Sequence, residues 1–192
     1  MTGLTYQMSR IEMVMLSKSL KKSFYFGIIF IGLLGIPMHF LYSLTGDSPL
    51  VAFIAPVNES VWEHLKLAVM PTIIWWSLSY IILNRKYCIL FSRWFFAFVV
   101  SLIVCPLIIV SFYYSYTGAL GIHSLALDFF SYFLGVTVAQ LTAMHIYQYA
   151  KINSLLFYLS ALIFALLMIA FIVFTFNPLN LPLFSDPLKS KK

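Results

Sequence analysis

The chain has 192 residues, of which 62% are hydrophobic and only 9% are charged, and its mean hydropathy is +0.95. A water-soluble domain carries about 25% charged residues, so this composition excludes an ordinary soluble fold and indicates a surface that faces lipid. The net charge of +6 does not indicate nucleic-acid binding, because the basic residues lie in short clusters at the ends of apolar segments.

Five apolar segments are each long enough to cross a bilayer as a helix, which takes about 20 residues. In chain order, the predicted spans are Phe24–Leu44, Asn58–Leu83, Trp94–Tyr116, Ile122–Tyr149 and Leu155–Phe176. We therefore predict an all-α fold, an integral membrane helical bundle of about five transmembrane helices. Its predicted parts are an amphipathic or disordered cytoplasmic segment over 1–22, the transmembrane domain over 23–178 and a C-terminal tail over 179–192.

The basic residues also predict the orientation, because lysine and arginine are enriched in cytoplasmic loops. Basic clusters precede the first span and separate the second from the third, and Lys151 lies between the fourth and the fifth. The loops around Asp47 and around Gly118–Gly121 contain no lysine or arginine. The N-terminus is therefore predicted to be cytoplasmic, in a multi-pass protein of the cell membrane.

Ionisable side chains inside a membrane span are costly, so each one marks a candidate functional site. Because a helix rises about 1.5 Å per residue, several such side chains fall in one layer near the outer ends of the predicted spans. This polar layer comprises His39, Glu59, Glu63, His64, Lys66, Tyr116, His123 and Asp128. Polar groups from different spans at one depth predict a shared cavity that opens outward.

The residue types of the polar layer favour a metal-dependent enzyme. Three acids and one lysine leave excess negative charge at low dielectric, which protonation or a bound cation relieves. Imidazole and carboxylate groups suit a zinc-like ion that activates water while a further carboxylate acts as general base. The expected metal ligands are His64, His123 and Asp128. The expected catalytic residues are Glu59, Glu63 and Ser60. Substrate-binding or supporting roles are expected for His39, Asn58, Trp62, Lys66 and Tyr116.

The segment Pro56–Lys66 reads P-V-N-E-S-V-W-E-H-L-K. It resembles the motif P-V-N-E-S-x-W-E-H-x-K of a family of small bacterial multi-pass membrane proteins whose function is unknown. The proline-rich segment Phe176–Pro187 resembles the end of the same family, except that Asn177-Pro178 stands where the family has two prolines. The resemblance runs from about Lys18 onward and implies a bacterial cell membrane, but it implies no activity.

The leading hypothesis is a membrane-embedded hydrolase or transferase that uses a divalent metal such as zinc and acts on a lipid or lipid-linked substrate at the outer leaflet. Membrane lipids are the expected partners; no nucleic-acid partner is predicted, and the oligomeric state is left open. One alternative is a small ion- or proton-coupled transporter in which Glu63, Lys66 and Asp128 carry the ion. The other alternative is a non-catalytic accessory subunit whose polar layer holds helices together.

Overall fold

The computed structural model describes the backbone of residues 10–186 and the side chains of residues 18–186. Its α-helices are α1 (Arg10–Leu44), α2 (Val61–His64), α3 (Lys66–Lys86), α4 (Phe91–Leu120), α5 (Leu125–Tyr149) and α6 (Ser154–Phe176). Two short 3-10 turns lie at Val51–Phe53 and Pro182–Phe184. The described part of the predicted N-terminal segment belongs to α1 without a break, and residues 1–9 and 187–192 lie outside the described residues.

Within the described part of the chain, five helical segments are long and apolar enough to cross a membrane, which confirms the predicted all-α membrane bundle. They are Lys18–Leu44, Val61–Lys86, Phe91–Leu120, Leu125–Tyr149 and Ser154–Phe176. The second segment joins α2 and α3, which are separated only by Leu65. This segment begins at Val61, so Asn58 and Glu59 lie in the preceding loop and not within the span as predicted.

The helices pack in an order that brings α1 between α3 and α5. The most extensive contact joins α4 to α5, while α3 and α6 also pack against α4. The α4–α5 connection is short because Gly121 ends α4 in the left-handed conformation, with a φ of 64°. Gly135 permits the close approach of these two helices, since a Cβ there would lie 3.0 Å from the Cys105 carbonyl oxygen.

Aromatic side chains of four helices pack against one another near one end of the bundle. Trp76 of α3 contacts Phe24 of α1 and Trp94 of α4, with ring centroids 5.4 Å and 4.7 Å apart. Trp94 in turn contacts Tyr147 of α5 at 5.6 Å, and its indole N–H donates to the Trp76 carbonyl at 3.2 Å. By contrast, only 11% of the most apolar stretch of α6 is buried, as expected of a helix that faces lipid.

The two ends of the bundle differ in charge. The basic end, near the aromatic contacts, carries Lys18, Lys21, Lys22, Arg85, Lys86, Arg93 and Lys151. The opposite end, called here the acidic end, carries Asp47, Glu59, Glu63, Lys66, Asp128 and Asp186 among the described residues. The polar layer predicted from the sequence therefore lies at the acidic end.

Candidate metal centre

The loop before α2 fixes the position of Glu59. The backbone of Ser60 is extended, and its Oγ accepts a hydrogen bond from the Glu63 N–H at 3.4 Å, which caps the new helix. The Asn58 Oδ1 accepts from the Ser60 N–H at 2.9 Å, so residues 58–60 form a tight turn. Ser60 is only 1% exposed. These contacts give Asn58 and Ser60 a part in shaping the turn, and their substrate-binding and catalytic roles stay predictions.

Three side chains from separate segments meet beside this turn. The Nε2 atoms of His39 in α1 and His64 in α2 are 3.1 Å apart. The Glu59 Oε2 atom lies 3.3 Å from the Nε2 of His64 and 3.7 Å from the Nε2 of His39. We call this group the His–Glu cluster. The side chains of the two histidines are 32% exposed and that of Glu59 is 40% exposed, so solvent reaches the cluster from one side.

A backbone hydrogen bond determines the tautomer of His64. Its Nδ1 lies 2.9 Å from the Ser60 carbonyl oxygen, which can only accept, so Nδ1 carries the proton and donates it. In the neutral ring, Nε2 then has a lone pair, and this lone pair is directed at His39 and Glu59. The Glu59 carboxylate is an acceptor as well. Two acceptors 3.3 Å apart repel each other unless a proton or a cation lies between them.

His39, the third member of the cluster, does not remove the repulsion between the His64 lone pair and the Glu59 carboxylate. Its Nε2 can donate to His64 when it carries the ring proton, but Glu59 then still faces the His64 lone pair. The Nδ1 of His39 is buried and has no hydrogen-bond partner among the described residues. A cation bound by all three side chains would satisfy Glu59 and the His64 lone pair together.

The spacing of the three atoms matches a metal centre. Atoms bound at about 2.1 Å in a tetrahedral arrangement are about 3.4 Å from one another. The separations of 3.1, 3.3 and 3.7 Å in the His–Glu cluster scatter around that value. Two imidazoles and one carboxylate are a donor set of catalytic zinc sites, which keep a fourth position open for water. The partial exposure of all three side chains makes the cluster accessible to water.

Glu63 and Lys66 form a buried ion pair next to the His–Glu cluster. The Lys66 Nζ lies 2.7 Å from the Glu63 Oε2, and the two side chains are 0% and 2% exposed. Glu63 also accepts from the Val57 N–H at 3.0 Å and from the Thr175 hydroxyl at 2.9 Å. Lys66 donates to the Ala52 carbonyl at 2.8 Å. The pair therefore joins the loop before α2 to α2, α3 and α6. Donors occupy both oxygens of Glu63, which favours a structural role over the predicted catalytic one.

Asp128 and His123 lie apart from the His–Glu cluster. The Tyr116 hydroxyl of α4 donates to the Asp128 Oδ1 of α5 at 2.5 Å, so Asp128 links its own helix to α4. His123 is exposed in the loop before α5, where its ring lies 6.4 Å from that of Tyr113. Of the three predicted ligands, only His64 belongs to the cluster, and its neighbours there are His39 and Glu59.

Trp62, which was predicted to support the site or contact substrate, packs among aromatic residues. Its ring stacks on Phe171 of α6 at 4.7 Å and contacts Phe184 of the C-terminal 3-10 turn at 5.1 Å. Together with Thr175, these contacts attach α6 and the following turn to α2. The sequence reasoning missed Thr175, because a single hydroxyl in an apolar span gives little signal.

The buried ion pair predicts a coupled loss of stability. Glu63→Gln or Lys66→Met should each lower the free energy of unfolding by about 3–5 kcal/mol, because each leaves one buried charge without its partner. The double variant should lose clearly less than the sum of the two single losses. Reversible unfolding in mixed micelles measures these differences.

Two exposed residues supply the controls for this measurement. Asp47→Asn and Lys86→Met each remove an exposed charge outside the buried pair and should each alter stability by no more than about 0.5 kcal/mol. Strictly additive losses in the double variant would show that Glu63 and Lys66 do not act as a pair.

Comparison with known proteins confirms the resemblance to a family of unknown function. The sequence model of that family, DUF6512, matches residues 12–192, a range that contains the whole His–Glu cluster and the buried ion pair. No curated protein and no solved structure matches the chain. The family description assigns no activity. Because the match covers most of the chain, the protein belongs to the DUF6512 family of unknown function.

Proposed function

We propose that His39, Glu59 and His64 bind one divalent metal ion, and that the protein is a metal-dependent hydrolase or transferase. The observation that supports this proposal is that two hydrogen-bond acceptors, the His64 Nε2 and the Glu59 carboxylate, face each other in the His–Glu cluster. The backbone bond to Ser60 leaves the His64 Nε2 lone pair facing a carboxylate oxygen 3.3 Å away. A cation between the two groups turns this repulsion into binding. The same backbone bond is the type of contact that orients histidine ligands at metal sites.

Charge favours a divalent ion at this position. The buried Glu63–Lys66 pair has no net charge, so Glu59 is the remaining acid beside the two neutral histidines. A divalent ion and the Glu59 carboxylate together carry one positive charge. A hydroxide in the open position would bring the net charge to zero, which is the favoured state where the dielectric constant is low. The cluster is therefore suited to a metal ion that generates hydroxide.

A divalent ion in such a site polarises a carbonyl and lowers the pKa of bound water toward neutrality. If an ion is bound, His39 and His64 would hold it through Nε2 and Glu59 through Oε2. The second carboxylate oxygen of Glu59 would accept a hydrogen bond from the activated water, and the proton of that water would leave to solvent, which reaches the cluster. Glu63 has no part in this proton transfer, because Val57, Lys66 and Thr175 occupy its two oxygens.

The surroundings of the cluster favour a lipid or lipid-linked substrate. His39 lies five residues before the end of α1, which is about 7–8 Å along the helix axis from its last residue. That depth is close to the boundary between headgroups and acyl chains. The surface near this end is apolar and open to the bilayer. Its exposed residues are Phe40, Leu44, Leu50, Phe53 and Ile54.

The basic residues favour placing this site at the outer leaflet. Lysine and arginine of the described chain concentrate at the end of the bundle opposite the His–Glu cluster, and that end is proposed to be cytoplasmic. The proposed site therefore faces outward. The transporter alternative has less support. Glu63 and Lys66 are buried and paired with each other, and Asp128 accepts a hydrogen bond from Tyr116, so none of the three is free to carry an ion.

Metal analysis is the first test of the proposal. Detergent-purified protein that has been loaded with Zn²⁺ and then dialysed should retain about one ion per chain. His64→Ala and Glu59→Gln should each weaken binding more than about 100-fold, beyond the 10–100-fold typical of outer-shell partners, because each removes a ligand. Inductively coupled plasma mass spectrometry and competition with a zinc-binding dye measure both quantities.

The matched controls for metal analysis are His145→Ala, His123→Ala and Asp128→Asn. These residues are outside the His–Glu cluster, so their variants should bind the ion as the unmodified protein does. A folded protein that binds no divalent ion would contradict the proposal and favour a protonated histidine paired with Glu59. Loss of the ion in Asp128→Asn alone would restore the ligand set predicted from the sequence.

Turnover of a lipid is the second expected outcome. Zinc-loaded protein in phosphatidylethanolamine and phosphatidylglycerol vesicles, with an amide-linked lipid added so that ester, amide and phosphate bonds are all present, should release a cleaved product detectable by mass spectrometry. Chelation should abolish this release, added Zn²⁺ should restore it, and His64→Ala should show none while His145→Ala remains active. Tight metal binding without turnover of ester, amide or phosphate bonds would indicate a structural metal and rule out the proposed hydrolase.

Labelling of single cysteines tests the orientation. In a Cys88→Ser, Cys105→Ser background, a membrane-impermeant maleimide should label Thr45→Cys in intact cells and Lys151→Cys only after lysis. Both positions are exposed in loops, at opposite ends of the bundle. The reverse labelling pattern would place the His–Glu cluster on the cytoplasmic side.

A further inference from the structure

The hydroxyl of Tyr132 joins two other helices beneath the His–Glu cluster. Tyr132 lies in α5, and its Oη donates to the Ile31 carbonyl oxygen of α1 at 2.7 Å. The same Oη lies 3.1 Å from the Leu67 carbonyl oxygen of α3. One hydroxyl proton is thus shared between the backbones of α1 and α3. We call this contact of Tyr132 with Ile31 and Leu67 the tyrosine clasp.

Two residues of the spans make the tyrosine clasp possible. Pro71 has no N–H, so the Leu67 carbonyl four residues earlier lacks its helical partner and remains free for Tyr132. Gly35 allows α1 to approach, because a Cβ there would overlap the Tyr132 hydroxyl and lie 2.6 Å from the Leu67 oxygen. Neither a larger residue at position 35 nor a regular hydrogen bond at position 71 fits this arrangement.

Helical spacing places the tyrosine clasp one turn from the metal ligands. His39 is four residues after Gly35 in α1, and His64 is three residues before Leu67. Residues at these spacings share one helix face and are separated by about one turn, or about 4.5–6 Å along the axis. The separation of α1 from α3 at the clasp therefore determines how closely the two histidine rings approach.

We infer that Tyr132 is a positioning residue of the proposed metal site. Its hydroxyl holds α1 and α3 at the separation that brings the Nε2 atoms of His39 and His64 within 3.1 Å. This inference rests on the proposed function, because it concerns the geometry of the same ion. Tyr132 makes no contact with the ion and acts through the backbones of the two helices that carry the histidines.

The test is a Zn²⁺ and Co²⁺ titration of Tyr132→Phe, which removes the hydroxyl and keeps the ring. We expect the Kd for Zn²⁺ to rise about 10–100-fold, as for other outer-shell partners, while one ion still binds at saturation. The visible absorption bands of bound Co²⁺ should shift, because they report the arrangement of the ligands. Tyr147→Phe is the control: it makes the same change in α5 near the basic end and should alter neither readout.

A second variant keeps the inference testable if Tyr132→Phe does not fold. Pro71→Ala restores an N–H that competes for the Leu67 carbonyl, so it weakens the clasp without changing Tyr132. It should raise the Kd for Zn²⁺ and shift the Co²⁺ bands, whereas Pro106→Ala in α4 should do neither. Unchanged Kd and Co²⁺ spectra in the folded variants would overturn the role of Tyr132 alone. Absence of metal from the unmodified protein would instead overturn the proposed function.

Discussion

The ion pair between Glu63 and Lys66 is the interaction on which the rest of the acidic end depends. A single charge at a position with 0–2% exposure would be strongly unfavourable, so each residue requires the other. Such a pair contributes little net stability compared with apolar packing, but it has strict geometric requirements. Here those requirements are met by the loop before α2 and by Thr175 of α6. The pair thereby selects one arrangement of a loop that has little regular structure of its own.

The position of Glu59 follows from that selection. The N–H of Val57 and the carbonyl of Ala52 are held by the pair, while Asn58 and Ser60 close the turn that follows. Glu59 comes between these fixed points and is directed at the two histidines. His64 follows Glu63 directly, and successive residues of a helix differ by about 100° in direction. One turn of α2 therefore places a carboxylate in the interior and an imidazole on the solvent side.

The sequence predicts the five spans well, because hydropathy depends only on the order of residues along the chain. The predicted polar residues also fall at one end of the bundle, the acidic end. The assignment of ligands depends on direction around each helix, which counting along the chain does not provide. His123 and Asp128 lie at the acidic end, but the first is in an exposed loop and the second accepts a hydrogen bond from Tyr116. His39 lies at the same end, and its Nε2 meets that of His64. Position along the chain alone does not distinguish His39 from His123 and Asp128.

The contacts of Tyr132 follow from a constraint that the bilayer places on irregular backbone. In the bilayer, a carbonyl freed by proline must find another donor, because water is scarce there. The Leu67 carbonyl finds the Tyr132 hydroxyl, and the loop carbonyl of Ala52 finds the Lys66 ammonium. In both cases the donor comes from a different segment, so satisfying the backbone also fixes the distance between two segments. Near the His–Glu cluster, these hydrogen bonds therefore have two effects. They satisfy carbonyl groups of a proline-containing helix and of an irregular loop, and they fix the segments that carry His39, Glu59 and His64.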